Sequence, residues 1–294
     1  MKRSIGIILL AAFLFTAGAG VPRPGFSAEL REIKIALRPN KLASFDSLTH
    51  LPFLQYLESK LGITVKLRVG KDYKTVINEL QAGIVQVAFL GPFSYVLARE
   101  TMGDGIEPLV VGLRKASHRG GYNSIIVAAG KSKVMNPSQF NQDHTFAVPD
   151  PASTSGYLLP FHKLMELGLD PNADFQSVHI AGSHIATLLR VQNGQADGGA
   201  SNMQTYNDLL GAGMIDIDKV RIIWRSPDLP EGPVTMRQDV PGEIKYRLLK
   251  AFIAMPRNLG VYDYKDGLEG FRPAFDRQYD VIRNIRKRVG KISG

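Results

Sequence analysis

Residues 145–157 read Thr145-Phe146-Ala147-Val148-Pro149-Asp150-Pro151-Ala152-Ser153-Thr154-Ser155-Gly156-Tyr157. Thr145 to Val148 is a short apolar strand, Asp150-Pro151 begins a proline-held turn, and the run from Tyr157 to Leu167 is amphipathic with helical spacing. The stretch is therefore a strand, a turn and a helix, with three consecutive hydroxyls at the helix start. The first amides of a helix have no backbone partners and carry the positive end of its dipole, which suits an anion. Ser153, Thr154 and Ser155 add adjustable donors, and Gly156 allows close approach of the backbone. Ser and Thr are also the ordinary N-caps of helices whatever the function. Both readings stand on this stretch alone.

The same unit recurs on either side. Upstream, a strand from Ile33 to Leu37 ends at Arg38-Pro39-Asn40 and is followed by a helix from about Ser47 to Leu61, closed by Gly62. Thr64 to Val69 is a strand, and Asp72-Tyr73 opens a helix that runs to Gly83. Val85 to Leu90 is a strand that stops at Gly91-Pro92, before a helix that contains Ser94 and Tyr95 and reaches about Glu100. Downstream, Val178 to Ala181 is a strand, and Gly182-Ser183-His184 leads into a helix from Ile185 to Asn193. Ala196 to Ala200 is a strand of small residues, and Val220 to Trp224 is another strand. Alternating strands and helices imply an α/β protein with parallel pairing, and in open sheets of this kind ligands bind at the carboxyl ends of the strands. Arg38, Asp72, Tyr73, Gly91 and Ser94 all fall in strand-to-helix turns, so one crevice can collect them.

Two segments break the rhythm. Arg114 to Tyr122 is basic and contains Gly120-Gly121, and Arg225 to Pro233 carries three prolines. They read as an outward and a return crossing between two lobes, with the glycines as hinge positions. An ordinary surface hairpin explains the first segment equally well. The residues after Pro233 read as mainly helical and carry no recognisable chemistry.

The chain has 294 residues, a formal charge of +9 and no cysteine. Lys2 and Arg3 precede a short apolar run, Ile5 to Ala17, and small residues follow at Ala17-Gly18-Ala19 and Ser27-Ala28. This is the pattern of a secretory signal peptide spanning 1–28, with cleavage after Ala19 or Ala28, and it is too short for a comfortable membrane span. Loss of Lys2, Arg3 and Arg23 with that segment lowers the formal charge from +9 to +6. The absence of cysteine excludes disulfides, thiolate nucleophiles and cysteine metal sites, so the exported chain depends on its core. A modest positive charge suits acidic ligands, and the lack of a long basic block with interleaved aromatics argues against nucleic acid. The densest basic run, Arg283 to Lys291, reads as a solvated C-terminal helix face, with a docking surface for a membrane partner as the alternative.

The order of Asp72-Tyr73, Phe89-Leu90-Gly91-Pro92, Gly121-Tyr122, Asp150-Pro151-Ala152-Ser153-Thr154-Ser155-Gly156, Gly182-Ser183-His184 and Ser226-Pro227 with Pro233 resembles the PhnD-type substrate-binding proteins of phosphonate, phosphite and phosphate ABC importers. That resemblance implies a type II periplasmic binding fold of two lobes. Each would be a mainly parallel sheet flanked by helices, with the ligand in the cleft between them. The lobes would be 29–118 with 229–294, and 119–228. The resemblance further implies that Ser153, Thr154, Ser155 and the helix amides around Gly156 hold phosphoryl oxygens. Tyr73 would reach the ligand from the first lobe, Tyr122 from the crossing strand and His184 from the second lobe. Without it, the tyrosines read as half-buried core aromatics and His184 as a residue packed at a helix cap.

Relatives that take aminoalkylphosphonates place carboxylates around the amine. The matching positions here are Gln204 and Gly232, which disfavours a buried ammonium unless Glu231 enters the site. Arg38, Arg119 and Arg225 are further anion partners on charge alone, although arginines at turns are ordinarily solvated. The expected protein is a monomeric periplasmic carrier of a small phosphorus oxyanion, delivering it to the permease of an ABC transporter, with no cofactor, no metal and no catalytic residue. A ligand-sensing partner of a membrane histidine kinase is the alternative output. A hydrolase is the third reading. Ser153, His184 and Asp197 supply the residue types of a triad, but no nucleophile elbow surrounds the serine, and His179 and His184 lack metal-ligand spacing.

Overall fold

Glu32–Leu37 (β1) presents Ile33, Ile35, Ala36 and Leu37 to the interior, with none more than 1% exposed. The structure is a computed structural model and describes residues 30–39, 47–114, 121–257, 259 and 268–290. The expected signal peptide lies outside the described residues, as do Arg119 and Gly120. After β1 come α1 (Ser47–Leu61), β2 (Thr64–Val69), α2 (Tyr73–Gln81), β3 (Val87–Phe89), α3 (Pro92–Met102) and β4 (Ile106–Arg114). The chain then passes through β5 (Gly121–Tyr122) into β6 (Ser124–Ala129), β7 (Thr145–Val148), α4 (Leu159–Glu166), β8 (Ser177–Ile180), α5 (His184–Gln192), β9 (Gly198–Asn202), α6 (Met203–Gly211) and β10 (Val220–Arg225). It returns by β11 (Leu229–Pro230) to β12 (Pro233–Arg237), α7 (Gly242–Ile253), β13 (Leu268–Pro273) and α8 (Asp280–Val289).

Two sheets result. The first runs β13-β4-β12-β3-β1-β2 and the second β10-β6-β9-β7-β8, while β5 and β11 form a separate two-stranded ladder. That ladder pairs the two crossing segments with each other, Tyr122 opposite Leu229 and Gly121 opposite Pro230. Parallel pairing holds where βα units follow one another, in β2-β1-β3 and in β8-β7-β9. The remaining pairs, β3-β12-β4-β13 and β9-β6-β10, are antiparallel, so each sheet is mixed rather than mainly parallel. The cause is topological: a strand arriving from the other sheet has no crossover helix to reverse it. The residues after Pro233 likewise supply two strands, β12 and β13, to the first sheet in addition to their helices.

Small residues in β9 have a packing reason. A Cβ on Gly198 would come within 2.3 Å of the Phe140 ring, and one on Gly199 within 2.9 Å of Ala147 O and 3.1 Å of Thr187 and Val191. The strand is small because Phe140 and α5 press upon it from close range. Two apolar clusters belong to the second sheet, around Ile125 with Leu188 and around Phe146 with Phe161. A third contains Ala36, Ala88, Phe93 and Tyr95 beside the first sheet, together with Leu158 and Leu159 at the start of α4. Ile282 and Val289 of α8 join it, so α8 lies against both α3 and α4. The C-terminal segment is fixed by polar contacts as well: Tyr95 Oη donates to Asp276 Oδ1 at 2.7 Å and Tyr279 Oη to Glu231 O at 3.2 Å. In the basic C-terminal run, Arg283 is paired with Asp276 and Asp280, Arg286 lies 3.8 Å from Glu100, and Lys287 and Arg288 are exposed.

Leu158 is 0% exposed and touches the cluster that spans the two sheets. Leu158→Ala is expected to lower unfolding free energy by about 2–5 kcal/mol, read from urea denaturation. A loss below about 1 kcal/mol would show that this contact does little to hold the sheets together.

Candidate ligand-binding site

The helix that follows β7 begins earlier than its apolar spacing predicts. Thr154–Leu158 form a π turn that runs directly into α4, with Leu158 N bonded to Ser153 O at 3.0 Å. Ser153 is the N-cap, and its Oγ accepts from Gly156 N at 3.1 Å. The capping reading of Ser153 therefore holds, without excluding the other. Thr154, Ser155 and Gly156, all buried, stand in a wide first turn of the kind often found at functional sites. Gly156 is required by close approach: a Cβ there would lie 2.1 Å from Pro149 Cγ and 3.0 Å from His184 Cε1.

Turns from the first sheet meet this segment directly. Asp150 Oδ1 accepts from Ala152 N at 2.7 Å, and its Oδ2 from Tyr73 N, at the start of α2, at 3.2 Å. Thr154 Oγ1 accepts from Phe93 N, at the start of α3, at 2.8 Å, and Ser94 Oγ donates to Ala152 O at 2.9 Å. Tyr73 is 4% exposed and its ring centroid lies 5.4 Å from the Arg38 guanidinium carbon. Tyr122 brings its phenol from the crossing ladder towards the Thr154 and Ser155 side chains. Removal from water pushes the Tyr122 hydroxyl well above its usual range, those two side chains draw it back, and the negative charge of Glu231 raises it further. The phenol therefore remains protonated and able to donate. Ser155 is held from behind, Ser124 Oγ donating to its carbonyl at 2.7 Å.

His184 begins α5, behind Ser183, whose Oγ caps the helix by accepting from Ala186 N at 3.1 Å. Its Nε2 is 3.3 Å from Ser153 Oγ and its Nδ1 3.2 Å from Ser201 Oγ, so the imidazole bridges β9 and the hydroxyl turn. Desolvation, reinforced by the positive charge of Arg38, lowers its pKa from 6.5 to about 3. Asp150 is raised above the usual carboxylate range by desolvation, against the pull of its bonds from the Ala152 and Tyr73 amides.

Tyr73, Tyr122, Ser153, Thr154, Ser155, Gly156 and His184 thus come together. Gln204 does not join them: its Nε2 donates to Asp208 Oδ1, one turn along α6, at 2.6 Å. Gly232 has no room for a side chain, because a Cβ would stand 2.0 Å from Leu90 O. Its neighbour Glu231, 6% exposed, is the buried carboxylate of that wall. Arg225 is exposed, and its Nη2 donates to Asn123 Oδ1 at 2.5 Å. Two participants escaped the sequence reading: Ser201 lay just past the strand of small residues, and Asp150 opened the motif without a role. Arg38 entered it only as a further anion partner on charge. The triad does not assemble: Asp197 Oδ2 accepts from Thr145 N and Thr145 Oγ1, both at 2.8 Å, away from His184. Among the described residues no cluster of three or more His, Asp or Glu side chains could hold a metal, and no helix is long and apolar enough to cross a membrane.

Two α/β sheets, joined by paired crossings and meeting through strand-end turns, define a periplasmic binding protein fold. The structure of PhnD1 from Prochlorococcus marinus in complex with methylphosphonate shares it at a TM-score of 0.75 and 19% identity, over 89% of this chain and 99% of that one. The family model for the ABC transporter, phosphonate, periplasmic substrate-binding protein matches residues 47–279, and the chain belongs to that family. It is 26% identical to the phosphate-import protein PhnD of Mycolicibacterium smegmatis over 272 residues, covering 86% of this chain and 84% of that protein. It is 27% identical to the phosphonates-binding periplasmic protein of Escherichia coli K12 over 240 residues, covering 80% and 70% respectively.

His184 yields a pH test. Its folded pKa is depressed, so between pH 6.5 and about 3 the unfolded chain binds a proton that the folded one refuses, and stability falls with pH in that window. Raised Asp150 works in the opposite sense above pH 3.8 and is common to both proteins, so the comparison is made as a difference between wild type and variant. Unfolding free energy is expected to drop on going from pH 7 to pH 5 by about 1–2 kcal/mol more in the wild type than in His184→Gln. Equal drops would mean that the imidazole is not held neutral.

Proposed function

We propose that this substrate-binding protein carries a small phosphorus oxyanion, a phosphonate, phosphite or phosphate, to the permease of an ABC importer in the membrane. The observation that carries the reading is the convergence of the Ser153, Thr154 and Ser155 turn with Tyr122 and His184 where turns of the two sheets meet. Hydroxyls supply donors in several directions without fixing a charge, and the amides at the start of the π turn have no earlier helical carbonyl to bond. The ligand-binding set is Tyr73, Tyr122, Ser153, Thr154, Ser155, Gly156 and His184. Gln204 is set aside from it, since its amide is turned to Asp208.

The rest of the assignment follows from that reading. Residues 29–118 with 229–294 form one lobe and 119–228 the other, hinged at the β5–β11 ladder, and residues 1–28 direct export to the periplasm. The protein works as a monomer and performs no catalysis. In support of the latter, the second nitrogen of His184 faces Ser201, and Asp197 is engaged by Thr145. The methylphosphonate bound by the Prochlorococcus protein is a small oxyanion of the proposed class.

A thermal-shift panel of ligand-stripped protein with phosphate, phosphite, methylphosphonate, 2-aminoethylphosphonate, sulfate and arsenate tests the ligand class. A ligand at one hundred times its dissociation constant adds about 2.7 kcal/mol of stability. No shift with any of the phosphorus oxyanions would refute the class. Thr154 gives a finer test, because its hydroxyl joins Phe93 N, at the start of α3, to the Tyr122 phenol of the crossing. Thr154→Ala is expected to weaken binding by about 1.5–3 kcal/mol and Thr154→Ser to retain most of it, measured by calorimetric titration. Unchanged affinity in the alanine variant would remove that hydroxyl from the site.

A further inference from the structure

Arg38 is the first residue after β1, in the same tier of strand-end turns as Tyr73 and Gly91. The inference drawn from it rests on the phosphorus-oxyanion reading above. The point where a Cβ on Gly91 would stand lies 3.6 Å from Arg38 Nη1, 3.7 Å from Thr154 Oγ1 and 3.7 Å from Ser94 Oγ. Arg38 Nη1 and the central hydroxyl of the Ser-Thr-Ser turn therefore flank one spot, although they come from different sheets. The Tyr73 ring lies beneath the guanidinium, 5.4 Å from centroid to carbon, a distance at which an aromatic face steadies a cation. Nη1 of the guanidinium thus lies beside the turn that the oxyanion is proposed to occupy. We propose that Arg38 is a ligand-binding residue, the permanent cation that faces the oxyanion end of the site and sets the ligand as an anion held by charge as well as by hydroxyls.

The electrostatics around it agree with this placement. Arg38 helps to hold His184 neutral, lowers the Asp150 carboxyl and lowers the Tyr122 hydroxyl, so its field reaches groups on three different elements of the site. His184 cannot supply a second positive charge near neutral pH. Of the two nearby carboxylates, Asp150 has its oxygens turned to the Ala152 and Tyr73 amides, while Glu231 acts on Tyr122 from the wall of the return crossing. Tyr122 feels both charges, Glu231 raising its hydroxyl and Arg38 lowering it. A guanidinium bonds a phosphoryl group through two parallel N–H donors, a geometry that the ammonium of lysine reproduces in charge but not in shape.

The test is calorimetric titration of ligand-stripped wild type, Arg38→Lys and Arg38→Gln with methylphosphonate and with phosphate. The wild type's complex with methylphosphonate is also crystallised, so that the answer does not depend on a variant that fails to fold. Arg38→Gln is expected to bind roughly ten- to a hundredfold more weakly, with Arg38→Lys recovering a large part of the loss, as a charge-assisted contact requires. The crystal should place an Arg38 nitrogen within hydrogen-bond distance of a phosphonate oxygen. Binding by folded Arg38→Gln within about threefold of the wild type, or a guanidinium more than about 5 Å from the bound oxyanion, overturns the proposal. Absence of any phosphorus-oxyanion binding by the wild type refutes the ligand class itself. Wild-type binding that Arg38→Gln retains refutes only the role of Arg38.

Discussion

The starts of two helices in one half of the molecule are completed by side chains from the other half. Tyr73 N, at the head of α2, donates to Asp150, and Phe93 N, at the head of α3, donates to Thr154. An amide at the first turn of a helix has no intrahelical acceptor, and burying it unmet costs about as much as a lost hydrogen bond. Once the turns after β1, β2 and β3 are buried against the turn after β7, acceptors must be supplied across the junction. Asp150 and Thr154 supply them, and Ala152 O takes the Ser94 hydroxyl in the same way. The Asp-Pro-x-Ser-Thr-Ser-Gly stretch is consequently a joint between two sheets, whatever ligand it also holds.

Close backbone approach makes that joint possible. Gly156 lets the hydroxyl turn lie against Pro149 and His184, and Gly232 lets the return crossing lie against the Leu90-Gly91 backbone. Any side chain at Gly232 would push the crossing away from the turn that holds Phe93 and Ser94. A carboxylate therefore cannot stand at 232, and Glu231, one residue earlier, occupies the wall instead.

Much of this was legible before any coordinates. The βα units and the hydroxyl turn follow from local periodicity and turn chemistry, which depend on neighbours in sequence, whereas only the family-like order of the motifs places the two tyrosines. The unreadable parts depend on neighbours in space. Antiparallel pairing of β12 and β13 is decided by where the returning chain lands, and nothing in Pro233–Arg237 or Leu268–Pro273 records that. Arg38 looks like any arginine after a strand until Tyr73 and Thr154 are seen beside it. Ser201 carries no signal within Gly198–Asn202, since its partner, His184, is seventeen residues away. Gln204 illustrates the reverse. Position in a family-like order placed it near a ligand, whereas a local i,i+4 bond to Asp208 claims its amide.

The joint also bears on how a ligand can act. Three hydrogen bonds and an apolar cluster that takes in Leu158, Leu159 and Ile282 connect the two halves without any ligand atom. A ligand shifts a conformational equilibrium only by its differential affinity for the two arrangements. Donors fixed on one sheet bind an oxyanion in either arrangement and contribute little to that difference. On the proposed site, groups from the other sheet and from the crossing contribute most, because only an arrangement with the sheets together places them beside the hydroxyl turn. Arg38 and Tyr73 from the first sheet and Tyr122 from the ladder are such groups. On that proposal, selectivity and closure draw on the same few side chains, while the Ser-Thr-Ser turn supplies the affinity that any member of the oxyanion class can use.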